Sequence, residues 1–309
     1  MNDAISLAMP TFNQAALLRR FLAAWREHGS DLVPLMVVDD GSTDVTPEVL
    51  REAGHPRLTV HRLPHVSAAH ARNHALRNSP TPWLAFSDTD CLLDRRYFET
   101  LAGIPARYAD APAVEGAVRP SPGPKPPFTH SLHNPTGGTY ATANMVFRVG
   151  EVVALGGFDE AFTVNFREDT DLGLTLFEKR GPVPFCADLV VEHPHLPRRF
   201  GRSLRLAYAT QDRLVRAEIL LFRKHPASYR RVRYHADARG TLAAWCTRYS
   251  AACLKECLGY FGAPGLSAAD RARALLPSAQ ALIVAAVEQA CILGLCAARW
   301  GDIARLRAP

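Results

Sequence analysis

The sequence lacks the features that mark several classes of protein. Its seven cysteines include no Cys-x-x-Cys pair and are odd in number, which argues against a disulfide framework or a structural zinc site. We therefore expect reduced thiols, as in a cytosolic protein. Residues 1–4 have no basic region followed by an apolar stretch, so we expect no secretory signal. With 48% hydrophobic and 21% charged residues, the 309-residue chain is neither disordered nor collagen-like.

Long uninterrupted apolar runs are also missing. Residues 274–298 form the most apolar stretch, but Pro277, Glu288 and Gln289 interrupt it. A membrane-spanning helix needs roughly 20 predominantly apolar residues, and an acid near its centre is costly. A buried or dimer-forming helix is therefore favoured, and a helix lying in the membrane interface is the alternative.

Charge is distributed unevenly along the chain. Residues 1–195 carry 17 Lys and Arg against 23 Asp and Glu, whereas residues 196–309 carry 19 against 7. Residues 198–239 alone hold 12 basic and 3 acidic side chains. This asymmetry indicates different partners: a metal for the acidic part, and phosphate or anionic lipid for the basic part. A solvated helical face is the simpler interpretation of the basic part, and nucleic acid is not expected because no reading motif is present.

Short apolar runs alternate with helical patterns in the first ninety residues. Strands are predicted at 5–9, 35–38, 58–60 and 83–86, and helices at 14–28, after the cap Thr46, and at 67–78. The alternation predicts an α/β fold with a largely parallel sheet flanked by helices. The stretch 119–138, with six prolines, predicts a loop, and 171–180 predicts a helix. From 198 onwards the chain is predicted to be helical and basic, which places domains at 1–197 and 198–309.

Clustered carboxylates follow two of the predicted strands. Asp39 and Asp40 end the second strand, and Asp88 and Asp90 follow the fourth. Ligands of parallel sheets bind at the carboxyl ends of the strands, and an Asp-x-Asp suits Mg²⁺ or Mn²⁺. A capped turn is the simpler interpretation of the first pair. In a third cluster, at 167–173, the acids either favour a helix dipole or supply a general base.

Six motifs in order carry a resemblance to a known family. They are PTFN at 10–13, VVDDGSTD at 37–44, ARNHAL at 71–76, FSDTD at 86–90, GGFDE at 156–160 and REDTDLG at 167–173. Over residues 4–196 the chain resembles the family 2 glycosyltransferases. The resemblance implies the GT-A fold, a Rossmann-like sheet, here with a helical basic C-terminal extension. It also implies an inverting transfer of sugar from a nucleotide-diphospho-sugar.

The resemblance implies roles for particular residues. Pro10, Thr11 and Phe12 would line the nucleobase pocket, and Asp40 would accept a hydrogen bond from the base. Arg72 would touch the donor diphosphate or base.

The resemblance also implies a divalent cation, Mn²⁺ or Mg²⁺, and a catalytic base. Asp88 and Asp90 form the Asp-x-Asp, with Asp90 the direct metal ligand. His193 would complete the metal site, although His195 competes for that role. Asp169 would be the catalytic base.

The implied partners are a UDP-, GDP- or dTDP-sugar donor and a glycan or lipid-linked acceptor. No Gln-x-x-Arg-Trp motif of the processive polysaccharide synthases is present, so single addition fits better. We expect a cytoplasmic protein, either free or in peripheral contact with the inner face of the membrane.

Three alternatives stay open at this point. A nucleotidyltransferase shares the fold but would carry a Gly-rich basic loop after the first strand, where this chain has Pro10 and Thr11. A non-catalytic relative that binds nucleotide-sugars would keep the same motifs. His70 and His74, four residues apart on a predicted helix, could hold zinc, although ordinary helix and loop positions near the donor pocket are the favoured interpretation.

Overall fold

The computed structural model of the chain describes residues 3–123, 129–197 and 204–229. The chain divides into two compact units. The first comprises Met1–Pro120 and Leu132–Pro194, and the second comprises Ser121–Ser131 and His195–Pro309. The domain boundary at 197 stays a prediction.

The first unit begins with the predicted alternation of strands and helices. Its elements up to residue 107 are β1 (Ile5–Thr11), α1 (Ala15–His28), β2 (Leu35–Asp39), α2 (Thr46–Glu52), β3 (Leu58–Arg62), α3 (Ala68–Arg77), β4 (Trp83–Phe86) and α4 (Arg95–Arg107). The remaining elements belong partly to the first unit and partly to the second. They are β5 (Ala113–Pro120), β6 (Thr129–His130), β7 (Met145–Arg148), α5 (Val149–Ala154), α6 (Glu168–Arg180), β8 (Phe185–His193), β9 (Leu196–Pro197) and α7 (Leu204–Lys224).

Seven strands form one sheet in the order β3-β2-β1-β4-β7-β5-β8. The pairs among β3, β2, β1 and β4 are parallel, and so is the pair β5 and β8. Only β7 is antiparallel to its neighbours within this sheet. The mostly parallel α/β sheet predicted from the sequence is therefore confirmed, and it brings the ends of β1, β2 and β4 to one edge.

The central strands are apolar because both of their faces are covered. Every residue of β2 and β4 is buried. Helix α1 packs on the sheet through one face, on which Leu18, Phe21 and Trp25 are buried. The indole Nε1 of Trp25 donates to the Val33 carbonyl at 2.9 Å, which ties the helix to the loop before β2.

Several predicted boundaries were wrong by a few residues. β1 continues through Pro10 to Thr11, because β4 pairs only as far as Ala8 and a missing N–H at Pro10 interrupts no bond to it. Thr46 is the first residue of α2 rather than its cap, since its N–H is already held by the Asp44 carboxylate at 2.9 Å. Helix α6 starts at Glu168, three residues earlier than predicted, so its first turn contains the acidic cluster.

The second unit contains a two-stranded antiparallel sheet, β6 with β9, and the helix α7. The stretch 119–138, which was predicted to be a loop, therefore contains strand residues. The end of β5 lies at its start, and β6 lies in its second half. The helical prediction for the basic region holds for Leu204–Lys224. The apolar stretch 274–298 lies outside the described residues. Across the described part of the chain, no helix combines the length and apolarity needed to cross a membrane.

Candidate active site

A cavity of about 380 Å³ opens in the first unit at the carboxyl ends of β1, β2 and β4. The six side chains predicted to bind the donor line it, together with Asp90, which was predicted as a metal ligand. The six are Pro10, Thr11, Phe12, Asp40, Arg72 and Asp88. The strand ends meet here because parallel neighbours point the same way, so residues far apart in sequence share one edge.

Asp39, the last residue of β2, holds the turn that follows it. Its Oδ1 accepts from the Ser42 N–H at 2.9 Å, and its Oδ2 pairs with Arg62 at 2.8 Å. Gly41 has a φ of +76°, and a Cβ there would lie 2.7 Å from the backbone nitrogen of His65. Asp39 and Gly41 therefore shape the strand-to-helix turn.

Asp40 faces the cavity and is almost fully buried. Its Oδ1 accepts from the Val66 N–H at 3.1 Å, and its Oδ2 lies 3.1 Å from Nδ1 of His65. The His65 ring stacks on Phe12, with centroids 3.9 Å apart and planes at 15°. His65, which sequence reasoning did not select, therefore joins Phe12 and Asp40 at the wall predicted to receive the nucleobase.

Asp90, which follows β4, and His193, the last residue of β8, lie close together. Nε2 of His193 lies 3.5 Å from Oδ2 of Asp90. Nδ1 of His193 donates to the Pro194 carbonyl at 2.9 Å, so Nε2 is the ring nitrogen that faces Asp90. His195, the competing residue, belongs to the second unit.

The residues present fit a hard divalent cation. Oδ1 of Asp90 is buried and has no hydrogen-bond partner among the described residues. Mg²⁺-type sites use one or two carboxylates together with substrate phosphates. Within the described ranges no group of three or more His, Cys, Asp or Glu side chains is arranged to hold a metal. The fit therefore rests on Asp90 and His193, with the remaining positions left to phosphate oxygens.

Arg72, on α3, is buried among acidic partners. Its Nη1 contacts Oε1 of Glu168 at 2.7 Å and Oδ1 of Asn165 at 3.3 Å, and its Nη2 lies 3.6 Å from Oδ1 of Asp88. Burial and the neighbouring Asp169 carboxylate raise the pKa of Glu168 to about 7, although Arg72 opposes the shift. Arg72 thus links the Asp-x-Asp to the start of α6, and Glu168 is a partner that the sequence did not single out.

Asp169 is the second residue of α6 and is half-buried. Its Oδ1 accepts from the Thr170 N–H at 2.7 Å, and its Oδ2 accepts from the Thr142 N–H at 3.4 Å. Burial raises the pKa of Asp169, while Arg72 and the backbone bonds lower it. Asp169 does not itself line the cavity, but it adjoins Glu168, whose partner Arg72 does.

The GGFDE motif has a structural role. Asn73 donates to the Phe158 carbonyl at 2.8 Å and accepts from the Phe158 N–H at 2.8 Å. Gly157 has a φ of +77°, and a Cβ there would lie 2.4 Å from Oδ1 of Asn73. The motif therefore fixes the loop before α6 against α3, which carries Arg72.

The two histidines considered for zinc have separate partners. Nδ1 of His70 lies 3.0 Å from Glu160, whereas Nε2 of His74 lies 3.0 Å from Nδ1 of His61. Both positions therefore act as ordinary helix residues that pack α3 against its neighbours.

Comparison with known proteins indicates a glycosyltransferase. Residues 6–147 match the model of glycosyl transferase family 2. Validoxylamine A glucosyltransferase of Streptomyces hygroscopicus subsp. jinggangensis is 28% identical over 271 residues, covering 72% of this chain and 61% of that protein. Pre-mycofactocin glycosyltransferase of Mycobacterium tuberculosis is 28% identical over 207 residues, covering 62% of this chain and 43% of that protein. The chain thus spans about three fifths of the length of the first relative.

Solved structures of similar fold are also glycosyltransferases. The mannosyltransferase PcManGT from Pyrobaculum calidifontis, in complex with GDP-Man and Mn²⁺, has a TM-score of 0.58 at 18% identity, covering 94% of this chain and 86% of that one. S. aureus TarS 1–349, in complex with UDP-GlcNAc, has a TM-score of 0.54 at 16% identity, covering 71% and 66%.

The chain has the GT-A fold of these solved glycosyltransferases. The resemblance predicted from the motifs is confirmed over residues 6–147, which match glycosyl transferase family 2.

Proposed function

We propose that the chain transfers one glycosyl unit from a nucleotide-diphospho-sugar to an acceptor hydroxyl, with inversion and with a divalent cation. The observation that carries the proposal is the shared cavity: Asp40, Arg72, Asp88 and Asp90 line it, and a buried oxygen of Asp90 has no partner among the described residues. Relatives that carry GDP-Man with Mn²⁺ or UDP-GlcNAc support a donor of this kind.

The donor is held from its base to its phosphates. Phe12, with Pro10 and Thr11, forms the wall for the nucleobase, and Asp40 accepts from the base while His65 supports its carboxylate. Holding the donor in one orientation removes much of the entropic barrier to reaction.

At the phosphate end, Asp90 and His193 would hold Mn²⁺ or Mg²⁺. When bound, such a cation neutralises charge on the departing diphosphate. Asp88 and Arg72 line the same cavity as Asp90, and Glu168 pairs with Arg72.

Asp169 is proposed as the general base. It takes the proton from the acceptor hydroxyl, whose oxygen bonds to the anomeric carbon while the bond from that carbon to the diphosphate breaks. One displacement inverts the anomeric centre. A positioned base contributes about 10²–10⁴ in rate. The absence of a Gln-x-x-Arg-Trp motif supports single addition.

A thermal-shift panel tests the donor proposal. UDP-glucose, UDP-GlcNAc and GDP-mannose are each added with and without Mn²⁺, because a ligand stabilises the folded state by RT ln(1 + [L]/Kd). We expect one donor class to raise the Tm more than the others, and more with Mn²⁺, and we expect release of nucleoside diphosphate. Release of pyrophosphate from a nucleoside triphosphate and a sugar phosphate would instead identify a nucleotidyltransferase, and binding without any turnover a non-catalytic relative.

We propose that the protein is cytoplasmic and that its basic region makes peripheral contact with the membrane. Residues 198–239 carry 12 basic and 3 acidic side chains, and Arg213 on α7 is exposed. Basic side chains near an anionic surface contribute about 1 kcal/mol each and weaken as salt screens them. Co-sedimentation with anionic and neutral vesicles should show salt-sensitive binding to the anionic vesicles alone. Equal, negligible binding to both would contradict the proposal.

A further inference from the structure

Glu115, on the buried strand β5, is an interior carboxylate that the sequence did not point to. Its side chain is 1% exposed. A carboxylate in the interior is costly unless hydrogen bonds satisfy its oxygens. The hydrogen-bond partners of Glu115 therefore have to account for its burial.

The carboxylate of Glu115 binds three consecutive backbone N–H groups. Its Oε2 accepts from Gly138 at 2.7 Å, and its Oε1 accepts from Thr139 at 3.0 Å and Tyr140 at 2.6 Å. The Asn134 side chain adds a bond of 2.8 Å. Hydrogen bonds to an ionised group are the strong ones, so Glu115 fixes the path of residues 138–140.

The backbone of this segment is unusual enough to need such support. Gly137 and Gly138 have φ angles of +80° and +84°, and Tyr140 has a φ of +57°. A residue other than glycine persists in the left-handed region only where its surroundings over-determine it. The hydrogen bonds to Glu115 hold the segment in this conformation.

The same segment touches the first two turns of α6. The Thr142 N–H donates to Oδ2 of Asp169 at 3.4 Å, and the Thr139 carbonyl accepts from Thr170 Oγ1 at 3.5 Å. The Tyr140 ring lies so close to Gly173 that a Cβ there would be 2.2 Å away. Glu115 is thus connected to Asp169 through one short stretch of chain.

We propose that Glu115 is a positioning residue for Asp169, acting through residues 138–142. The inference rests on the proposed function, in which Asp169 is the base. By fixing the segment, Glu115 places the Thr142 N–H against the Asp169 carboxylate. This aims the carboxylate and favours its ionised form.

The surroundings of Asp169 give the expected direction of a pH effect. Arg72 from α3, with Arg167 and Glu168 from the start of α6, are the charged groups that face it. Burial raises the pKa of Asp169, and the bond from Thr142 opposes that rise. Losing the bond raises the pKa further. Since a base must be deprotonated, the acidic limb of the kcat profile then moves to higher pH.

Two variants test the inference. Glu115→Gln keeps the shape of the side chain but removes its charge and the acceptor for the Gly138 N–H. Thr142→Pro removes the N–H that bonds Asp169, together with the Thr142 hydroxyl, and Ala141, with φ of −63° and ψ of 122°, suits the position before a proline. For both we expect kcat to fall about tenfold with the acidic limb moved up, because one bond to the base is lost. Affinity for UDP or GDP with Mn²⁺, measured by calorimetry, should stay at the wild-type value.

Ser6→Ala is the matched control. It removes a buried side-chain bond, to Thr81 at 2.8 Å, at the opposite end of the sheet. It should lower the Tm without moving the pH profile.

The outcomes separate this inference from the proposed function. Unchanged kcat and pH profile in both variants would overturn it, as would a loss of UDP or GDP affinity in parallel with kcat. If Asp169→Asn were fully active, the assignment of the base itself would fail. If only Asp169→Asn were inactive, the role of Glu115 alone would fail.

Discussion

Two pairs of aspartates end β2 and β4, the strands on either side of β1, and their environments differ. At β2, Asp39 bonds Ser42 and Arg62, and both oxygens of Asp40 already have partners in the protein. At β4, Oδ1 of Asp90 is buried without a partner among the described residues, and Oδ1 of Asp88 lies 3.6 Å from Nη2 of Arg72.

The difference separates Asp39, which shapes a turn, from Asp90, which has a buried oxygen open to a ligand. A carboxylate whose oxygens are satisfied by backbone and side-chain donors stabilises a turn. A buried carboxylate oxygen without a donor is costly in the free protein, and a cation removes that cost. The comparison therefore assigns structure to Asp39 and ligand binding to Asp90, and it can be tested one residue at a time.

The largest effect is expected at Asp90. Asp90→Ala should lower turnover by about 10³-fold or more, because a lost cation contact removes several kcal/mol of stabilisation. The Mn²⁺-dependent part of the thermal shift with UDP or GDP should disappear as well. Near-normal turnover of this variant in excess EDTA would show that the mechanism needs no metal.

Asp169→Asn should have the next largest effect. The amide keeps the shape but cannot take the acceptor proton, so kcat should fall by about 10²-fold or more. Steady-state kinetics and calorimetry together check this, since the affinity for UDP or GDP with Mn²⁺ should barely change. An equal loss of nucleotide affinity would place Asp169 in the donor site instead.

Asp39→Ala should affect stability rather than chemistry. It leaves the buried Ser42 N–H without its acceptor, which costs about 1–3 kcal/mol of unfolding free energy. Urea denaturation measures this loss, and the Mn²⁺-dependent thermal shift should persist. A variant that folds normally but no longer responds to Mn²⁺ would reverse the assignments of the two pairs.

The smallest effect is expected at Asp40. Asp40→Asn keeps an oxygen for the Val66 N–H but removes the charge, so nucleotide affinity should fall by a factor of about five, or roughly 1 kcal/mol. Calorimetry with UDP and GDP measures it. Wild-type affinity for both would remove Asp40 from the base site.

Local signals explain which parts of the fold were predictable. The strand at 83–86 was predicted to the residue, because an apolar run bounded by Pro82 and Ser87 is unambiguous. Strands β5, β7 and β8 were not assigned, since only their pairing with distant strands gives them that identity. The end of β1 was missed because the effect of Pro10 depends on how far β4 extends.

The sequence by itself determined the chemistry-bearing residue types and their order along the chain. The resemblance of the motifs to a known family selected Asp40, Arg72, Asp90 and Asp169 as candidates, and local apolar runs placed Asp40 and Asp90 after predicted strands.

Only the tertiary structure decided which carboxylates are satisfied and which are open to a ligand. The partner of Arg72 is 96 residues away at Glu168, and Glu115 holds a segment more than 20 residues further along the chain. Such contacts leave no periodic trace in the sequence. They arise when separate strands and helices pack around one edge of the sheet, and that packing sets the burial on which each charge depends.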